Sequence, residues 1–276
     1  MKHKIKMIGF DLDGTLLTTQ KELTERTKCA LTEAVRQGVI ILPATGRPIS
    51  GVPEEILHFP GVRFVVSSNG ARIVDMEEGK TIYEKLLPVE KARKILDIFE
   101  EYDTLREVYY DGRGYARADS LSQVQRYVPL ASMAAYITST RVPVASVREK
   151  FEEENRDLDK IQALFADLSE KEEAWSRIEE IGGVEVTGAI ANNIEVNAGG
   201  VHKGAALLVL GEKLGIHAEE IMAFGDGAND VCMIKTAGTG VAMANGIPKI
   251  REEADMIADS NDEDGVAKII EQYVLK

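Results

Sequence analysis

Cysteine is scarce in this 276-residue chain: Cys29 and Cys232 are the only two, and they lie far apart. A disulfide framework is thereby excluded, and buried free thiols in a reducing compartment are expected. Long apolar runs are also missing. No stretch can span a bilayer, and the apolar run behind the lysines of residues 1–7 is too short for a signal peptide. A cytoplasmic location without a membrane partner is expected. Cations are outnumbered, 33 Lys and Arg against 46 Asp and Glu, for a net charge of −13. Nucleic acid is therefore an unsuitable partner, because binding its backbone leans on Lys and Arg. A small anionic ligand stays open, since a few local cations and a metal can override the global sign. No HExxH, paired CxxC or Walker-type lysine motif occurs, and no Ser-His-Asp arrangement is discernible, so the enzyme classes built on them have no foothold.

What is present is an ordinary globular composition, 44% hydrophobic and 29% charged, at a length comfortable for two modules. The chain is organised around Phe10-Asp11-Leu12-Asp13-Gly14-Thr15-Leu16, which follows the apolar run of residues 5–10. Two carboxylates one residue apart at the end of a buried strand can hold a divalent cation and still leave an oxygen to react. Gly14 lets the chain turn sharply away from them.

Thr24 is placed to cap a helix whose apolar positions Ala30, Leu31, Ala34 and Val35 recur at helical spacing, with Gly38 closing it. Residues 39–44 and 62–66 read as buried strands, and Thr45-Gly46-Arg47-Pro48 follows the first of them with Pro48 opening a helix. This alternation implies right-handed crossovers and a parallel sheet. The period then changes. Hairpin-like pairs at residues 71–86 and 105–118, a helix at 89–102, a strand at 160–166, a helix at 170–181 and strands at 184–187 and 193–196 suggest an inserted α+β module. Its boundaries are placed at residues 87–191, leaving 1–86 and 192–276 as a Rossmann-like core joined to it by two short crossings. Residues 119–156, broken by Pro129 and Pro143, are the least readable. The parallel rhythm returns with helix 205–214, strand 221–224, the loop Gly225-Asp226-Gly227-Ala228-Asn229-Asp230, a helix through Met233, strand 240–243 and helix 265–273.

Asp11 and Asp13, Thr45, Lys203, and Asp226 with Asn229 and Asp230 thus stand at strand ends or helix starts. In open parallel sheets such positions converge on one crevice, and phosphoryl transfer needs what they supply: a metal site, cations, a nucleophile and a proton donor. Taken singly, each has a plainer reading. The Asp226 loop could be a calcium-type turn, Lys203 a solvated lysine, and Thr45 a helix cap.

Together and in order, these segments resemble the four signature motifs of the haloacid dehalogenase-like superfamily, beginning with its DxDGT. The insertion between the second and third resembles the Cof-type sugar-phosphate phosphatase branch. The similarity extends to Ser68-Asn69-Gly70-Ala71, Val241-Ala242-Met243-Ala244-Asn245 and Asp264-Gly265-Val266-Ala267. It implies an α/β fold with a parallel-sheet core and an α/β cap, dependence on Mg²⁺, and a small phosphorylated metabolite as substrate.

By that resemblance Asp11 is nucleophile and metal ligand, and Asp13 is proton carrier, giving the metal its main-chain carbonyl. Asp226 is the second carboxylate ligand, with Asn229 and Asp230 orienting the groups around it. Thr45 and Lys203 bind the phosphate. Gly46, Arg47, Asn69 and Asn229 are further substrate-binding candidates, although Arg47 and Asn69 could simply tie loops together. A phosphomutase and a non-catalytic phospholigand-binding regulator are the rival readings. His202 departs from the small polar residue common before the lysine; it is expected to face solvent at a helix start. Tyr109, Tyr110 and Tyr115 either line the substrate side or pack. The oligomeric state is not legible.

Overall fold

The chain, described over residues 3–275 in a computed structural model, opens with β1 (Met7–Phe10), α1 (Glu25–Arg36), β2 (Ile40–Pro43) and α2 (Glu54–Leu57). A three-stranded sheet follows: β3 (Phe64–Ser67), β4 (Arg72–Asp75) and β5 (Lys80–Glu84). Next come α3 (Val89–Glu100), β6 (Thr104–Tyr110), β7 (Arg113–Arg117), α4 (Ala118–Ser122), α5 (Ala131–Thr140), β8 (Arg141–Val144) and α6 (Val147–Glu154). This section closes with β9 (Lys160–Phe165), α7 (Leu168–Glu179), β10 (Val184–Thr187) and β11 (Asn193–Ala198). The last section holds α8 (Lys203–Leu214), β12 (Ile221–Gly225), α9 (Val231–Thr236), β13 (Thr239–Met243), α10 (Pro248–Glu253), β14 (Met256–Ala258) and α11 (Gly265–Tyr273).

Two compact units result. The first takes the chain up to Gly46, Pro53–Tyr83 and everything from His202 on. Its main sheet has the order β14-β13-β12-β1-β2, parallel throughout. The central strands are buried at every position, as strands covered on both faces must be. From β1 the chain moves outward to β2, and later returns to the other side of β1 as β12. That reversal is a topological switch point, and Asp11 and Asp226 follow its two strands. Thr24 caps α1 by accepting from the Thr27 N–H, and Thr27, Ala30, Leu31 and Ala34 form its buried stripe.

The second unit comprises Glu84–Val201 together with Arg47–Val52. Its six strands have the order β10-β11-β9-β6-β7-β8, antiparallel except for the pair β7 and β8. One face of this sheet is apolar, with Val108, Tyr110, Ile161, Phe165, Ile194 and Val196 packed in a core with Ile95, Phe99 and Phe151. The alternate residues form a buried polar face on which Glu107 meets Arg141 at 3.1 Å and Lys160 meets Glu195 at 2.5 Å.

The α/β class read from sequence is the observed one, a parallel core sheet with an inserted mixed section. Several details differ. The sequence returns the chain to the core at residue 192, but β11 pairs with β9 and β10 in the mixed sheet. Arg47–Val52 joins the second unit, so the chain passes between units four times, not twice. Ser50 donates its N–H to the Gly112 carbonyl at 3.1 Å, and Tyr136 packs against Gly51. The helix expected at Pro48 is a single 3₁₀ turn, Ile49–Gly51. Strand β3 pairs antiparallel with β4, and it and the segment leading into it lie beside β2 with isolated parallel bridges, Ile41 to Val62 and Ala44 to Val66, in place of a continuous ladder. Cys29 is exposed and Cys232 half-buried, and neither is in a disulfide, which corrects the expectation of buried thiols. Among the described residues, no helix is long and apolar enough to cross a membrane.

Candidate active site

Three adjacent strand ends bring the site together. Asp11 follows β1 and donates its N–H to the Phe224 carbonyl of β12 at 3.0 Å, which sets it beside the Gly225-Asp226 turn. Ala44, after β2, donates to the Phe10 carbonyl at 2.8 Å, and Thr45 next to it donates to Val66 at 2.9 Å. Asn69 donates its N–H back to the Thr45 carbonyl at 3.0 Å. Asn69 lies in the left-handed region, as does Ser68, and its Oδ1 accepts from Asn229 Nδ2 at 3.2 Å.

Lys203 opens α8 and is fully buried. Its ammonium donates to Asp11 Oδ1 at 2.6 Å and to Asp230 Oδ1 at 2.7 Å. The second Asp230 oxygen accepts the N–H groups of Asp226 and Gly227 at 3.1 and 3.0 Å, so its carboxylate is fully committed to holding its neighbours. Asp226 Oδ1 accepts from the Thr15 hydroxyl at 2.7 Å. Asp13 is half-buried and its carboxylate lies 2.7 Å from the Lys21 ammonium.

Carboxylate oxygens of Asp11, Asp226 and Asp230 lie within 4.8 Å of one another. One ammonium among three carboxylates, those of Asp11 and Asp230 buried and that of Asp226 half-buried, leaves an excess of negative charge. Burial, opposed by Lys203 and reinforced by Asp230, Asp226 and Asp13, pushes Asp11 up to about 8. Burial and Asp230 push Asp226 up to about 7, against the Thr15 hydrogen bond. For Lys203, burial alone would lower the ammonium, but Asp11 and Asp230 outweigh it and hold it charged. A crowd of hard oxygens that resist ionising together fits a divalent cation. Gly14 adds to that fit: its φ is +81°, and a Cβ there would stand 2.4 Å from Asp226 Oδ2. Only a bare α-carbon leaves that oxygen approachable.

Of the residues singled out in sequence, Asp11, Lys203, Asp226 and Asp230 form one cluster, with Asn229 and Asn69 paired beside it. Arg47 falls in the second unit. Its guanidinium stacks 4.2 Å from the Tyr136 ring centroid and donates to the Gly51 carbonyl at 2.8 Å, all within the second unit. Thr15, Lys21 and Asn245, whose Nδ2 donates to the Gly14 carbonyl at 2.8 Å, received no role from sequence. Thr15 and Asn245 lie within motifs already quoted, which was the available signal. His202 stands at a helix start as expected, but it is half-buried and its Nδ1 accepts the Ala205 N–H at 3.0 Å.

An acidic cluster with one buried lysine at the switch point of a parallel sheet gives an α/β fold whose site is suited to a divalent cation. Comparison with known proteins narrows the class. The sequence profile of the haloacid dehalogenase-like hydrolases matches residues 8–270. The 5-amino-6-(5-phospho-D-ribitylamino)uracil phosphatase YcsE of Bacillus subtilis is 32% identical over 98% of this chain and 96% of its own. Phosphatase YwpJ of the same organism is 31% identical over 98% of this chain and 100% of its own. The structure of a haloacid dehalogenase-like hydrolase from B. subtilis superposes with a TM-score of 0.86 at 31% identity, covering 97% of this chain and 99% of that one. The chain belongs to the haloacid dehalogenase-like hydrolases, in the Cof-type branch with an inserted cap, and is a phosphatase.

Proposed function

We propose that this chain is a Mg²⁺-dependent phosphatase of small phosphomonoesters, sugar phosphates or related metabolites, acting through an aspartyl-phosphate on Asp11. The observation that carries this reading is the Asp11–Lys203 contact of 2.6 Å inside a buried acidic cluster. Lys203 opposes the burial that raises Asp11 and favours its ionised form, and a carboxylate beside an ammonium is a nucleophile that an incoming phosphoryl group would not repel.

Asp11 attacks phosphorus while the ester P–O bond breaks, and Asp13 gives its proton to the departing alcohol. Asp13 then takes a proton from water as that water attacks the phosphorus, releasing orthophosphate and restoring Asp11. Asp13 suits proton carriage because it is only half-buried and borders solvent; its contact with Lys21 must open for it to do so. Asp11, the main-chain carbonyl of Asp13 and Asp226 would hold Mg²⁺, which when bound neutralises charge on the transferring phosphoryl group. Asp230 keeps Lys203 and the Asp226 turn in place. Thr45, Gly46, Asn69, Asn229 and Lys203 are proposed phosphate or substrate contacts, and Arg47 joins them on its position two residues after Thr45.

The test is a phosphate-release screen over sugar phosphates, polyol phosphates of the ribityl type named for the YcsE relative, pyridoxal phosphate, flavin mononucleotide and nucleotides. Release of orthophosphate that stops on chelation and resumes with Mg²⁺ is the expected result. Isomerisation of a hexose 1-phosphate without phosphate release would identify a phosphomutase instead, and binding without turnover a regulator.

A further inference from the structure

We propose that His202 is a positioning residue: its neutral imidazole caps helix α8 and thereby fixes the Lys203 ammonium on Asp11 and Asp230. The inference rests on the reading of Lys203 given above.

A helix start leaves its first N–H groups without intrahelical partners, and a side-chain oxygen of Ser, Thr, Asp or Asn ordinarily accepts one of them. At α8 a ring nitrogen does this work. His202 has extended backbone angles, φ −151° and ψ 160°, and its Nδ1 accepts the Ala205 N–H at 3.0 Å, while its carbonyl receives the first helical bond from Ala206 at 3.2 Å. A nitrogen that accepts must carry a lone pair, so the proton of the neutral ring sits on Nε2.

The residue that follows gives the cap its importance. Lys203 occupies the first helical position, where a cation opposes the helix dipole, and it is fully buried. Nothing in the helix itself favours that ammonium there; its contacts to Asp11 and Asp230, at 2.6 and 2.7 Å, are what compensate. Both contacts depend on the first turn keeping its shape. Two glycines close the remaining freedom. A Cβ on Gly70, whose φ is +101°, would lie 2.6 Å from the His202 carbonyl oxygen, and a Cβ on Gly204 would lie 2.8 Å from the Cys232 carbonyl. Backbone therefore presses on the turn from two sides, and the imidazole holds its open end.

The experiment compares steady-state hydrolysis of the best phosphomonoester by His202→Ala, which removes the acceptor, and His202→Asn, which supplies another. His202→Ala is expected to lower kcat/KM about tenfold, the size of one cap expressed as a rate. His202→Asn is expected to restore most of the loss, which a ring that contacts substrate or merely packs would not allow. Equal impairment of the two variants, or an unimpaired His202→Ala, overturns the proposal. Should His202→Ala fail to fold, ¹⁵N spectra of the wild-type imidazoles decide. The signal lost in His202→Asn must report a neutral ring protonated at Nε2, and an Nδ1–H ring refutes the cap. Lys203→Met separates the two readings. Full activity in that variant removes the role given to Lys203, whereas an inactive Lys203→Met beside an unaffected His202→Ala removes only the present inference.

Discussion

The Thr15 hydroxyl donates to Asp226 Oδ1 at 2.7 Å, joining two loops 211 residues apart. It fixes the rotamer of a proposed cation ligand and leaves the other oxygen, beside the bare α-carbon of Gly14, to face the site. Thr15→Val keeps the shape and removes the donor. It is expected to weaken Mg²⁺ binding by about 10-fold, as loss of an outer partner of a ligand does. Isothermal titration of the variant against the wild type measures this.

Proton and cation compete for the same carboxylates. In the cation-free protein Asp11 is raised to about 8 and Asp226 to about 7, far above the unfolded carboxylate range. Raised groups bind protons that the unfolded chain has already lost, so the cation-free fold is destabilised as pH rises through that window. Added Mg²⁺ opposes this because it binds the ionised form. The gain in Tm on adding Mg²⁺ is therefore expected to be larger at about pH 8.5 than at about pH 6, with protons released on binding between them. A gain independent of pH would contradict the cluster's electrostatics.

Asp230 is fully buried and accepts from Lys203, Asp226 and Gly227 at once. Asp230→Asn preserves volume but removes the charge facing Lys203. Lys203 then keeps Asp11 but loses its second buried counter-charge, and the Asp226 and Gly227 N–H groups lose a charged acceptor, so a loss of about 3 kcal/mol in unfolding free energy is expected. Urea denaturation checks it, and activity should fall with the displaced lysine.

Much of this was legible in the chain because the chemistry lies in local motifs. Asp11 and Asp13 announce themselves by spacing at a strand end, and Asp226 with Asp230 by a turn at another. What the sequence hid is of longer range or shorter length. Strand β14 has three residues, Met256–Ala258, too few for any periodicity to appear. Strand β8 contains Pro143, which argues against a central strand; it lies at the sheet edge, where a missing N–H costs no ladder bond. Strand β11 alternates polar and apolar residues, and no local pattern tells which sheet such a strand will join. The departure of Arg47–Val52 from the core follows from contacts with Gly112 and Tyr136, some sixty to ninety positions away. The helix-start position of His202 was legible but its capping role was not, because imidazole is an unusual cap and the 3.0 Å contact to Ala205 is what reveals it.

The account's central claim is that the carboxylate of Asp11, held by Lys203, carries the phosphoryl group between ester and water. Acid quench during turnover followed by borohydride reduction tests it most directly, since an acyl phosphate is reduced where a free carboxylate is not. The account predicts homoserine at position 11 in the peptide spanning Phe10 to Leu16, and none in Asp11→Asn, which should also be inactive. Unmodified Asp11 throughout turnover, together with substantial hydrolysis by Asp11→Asn, would contradict it.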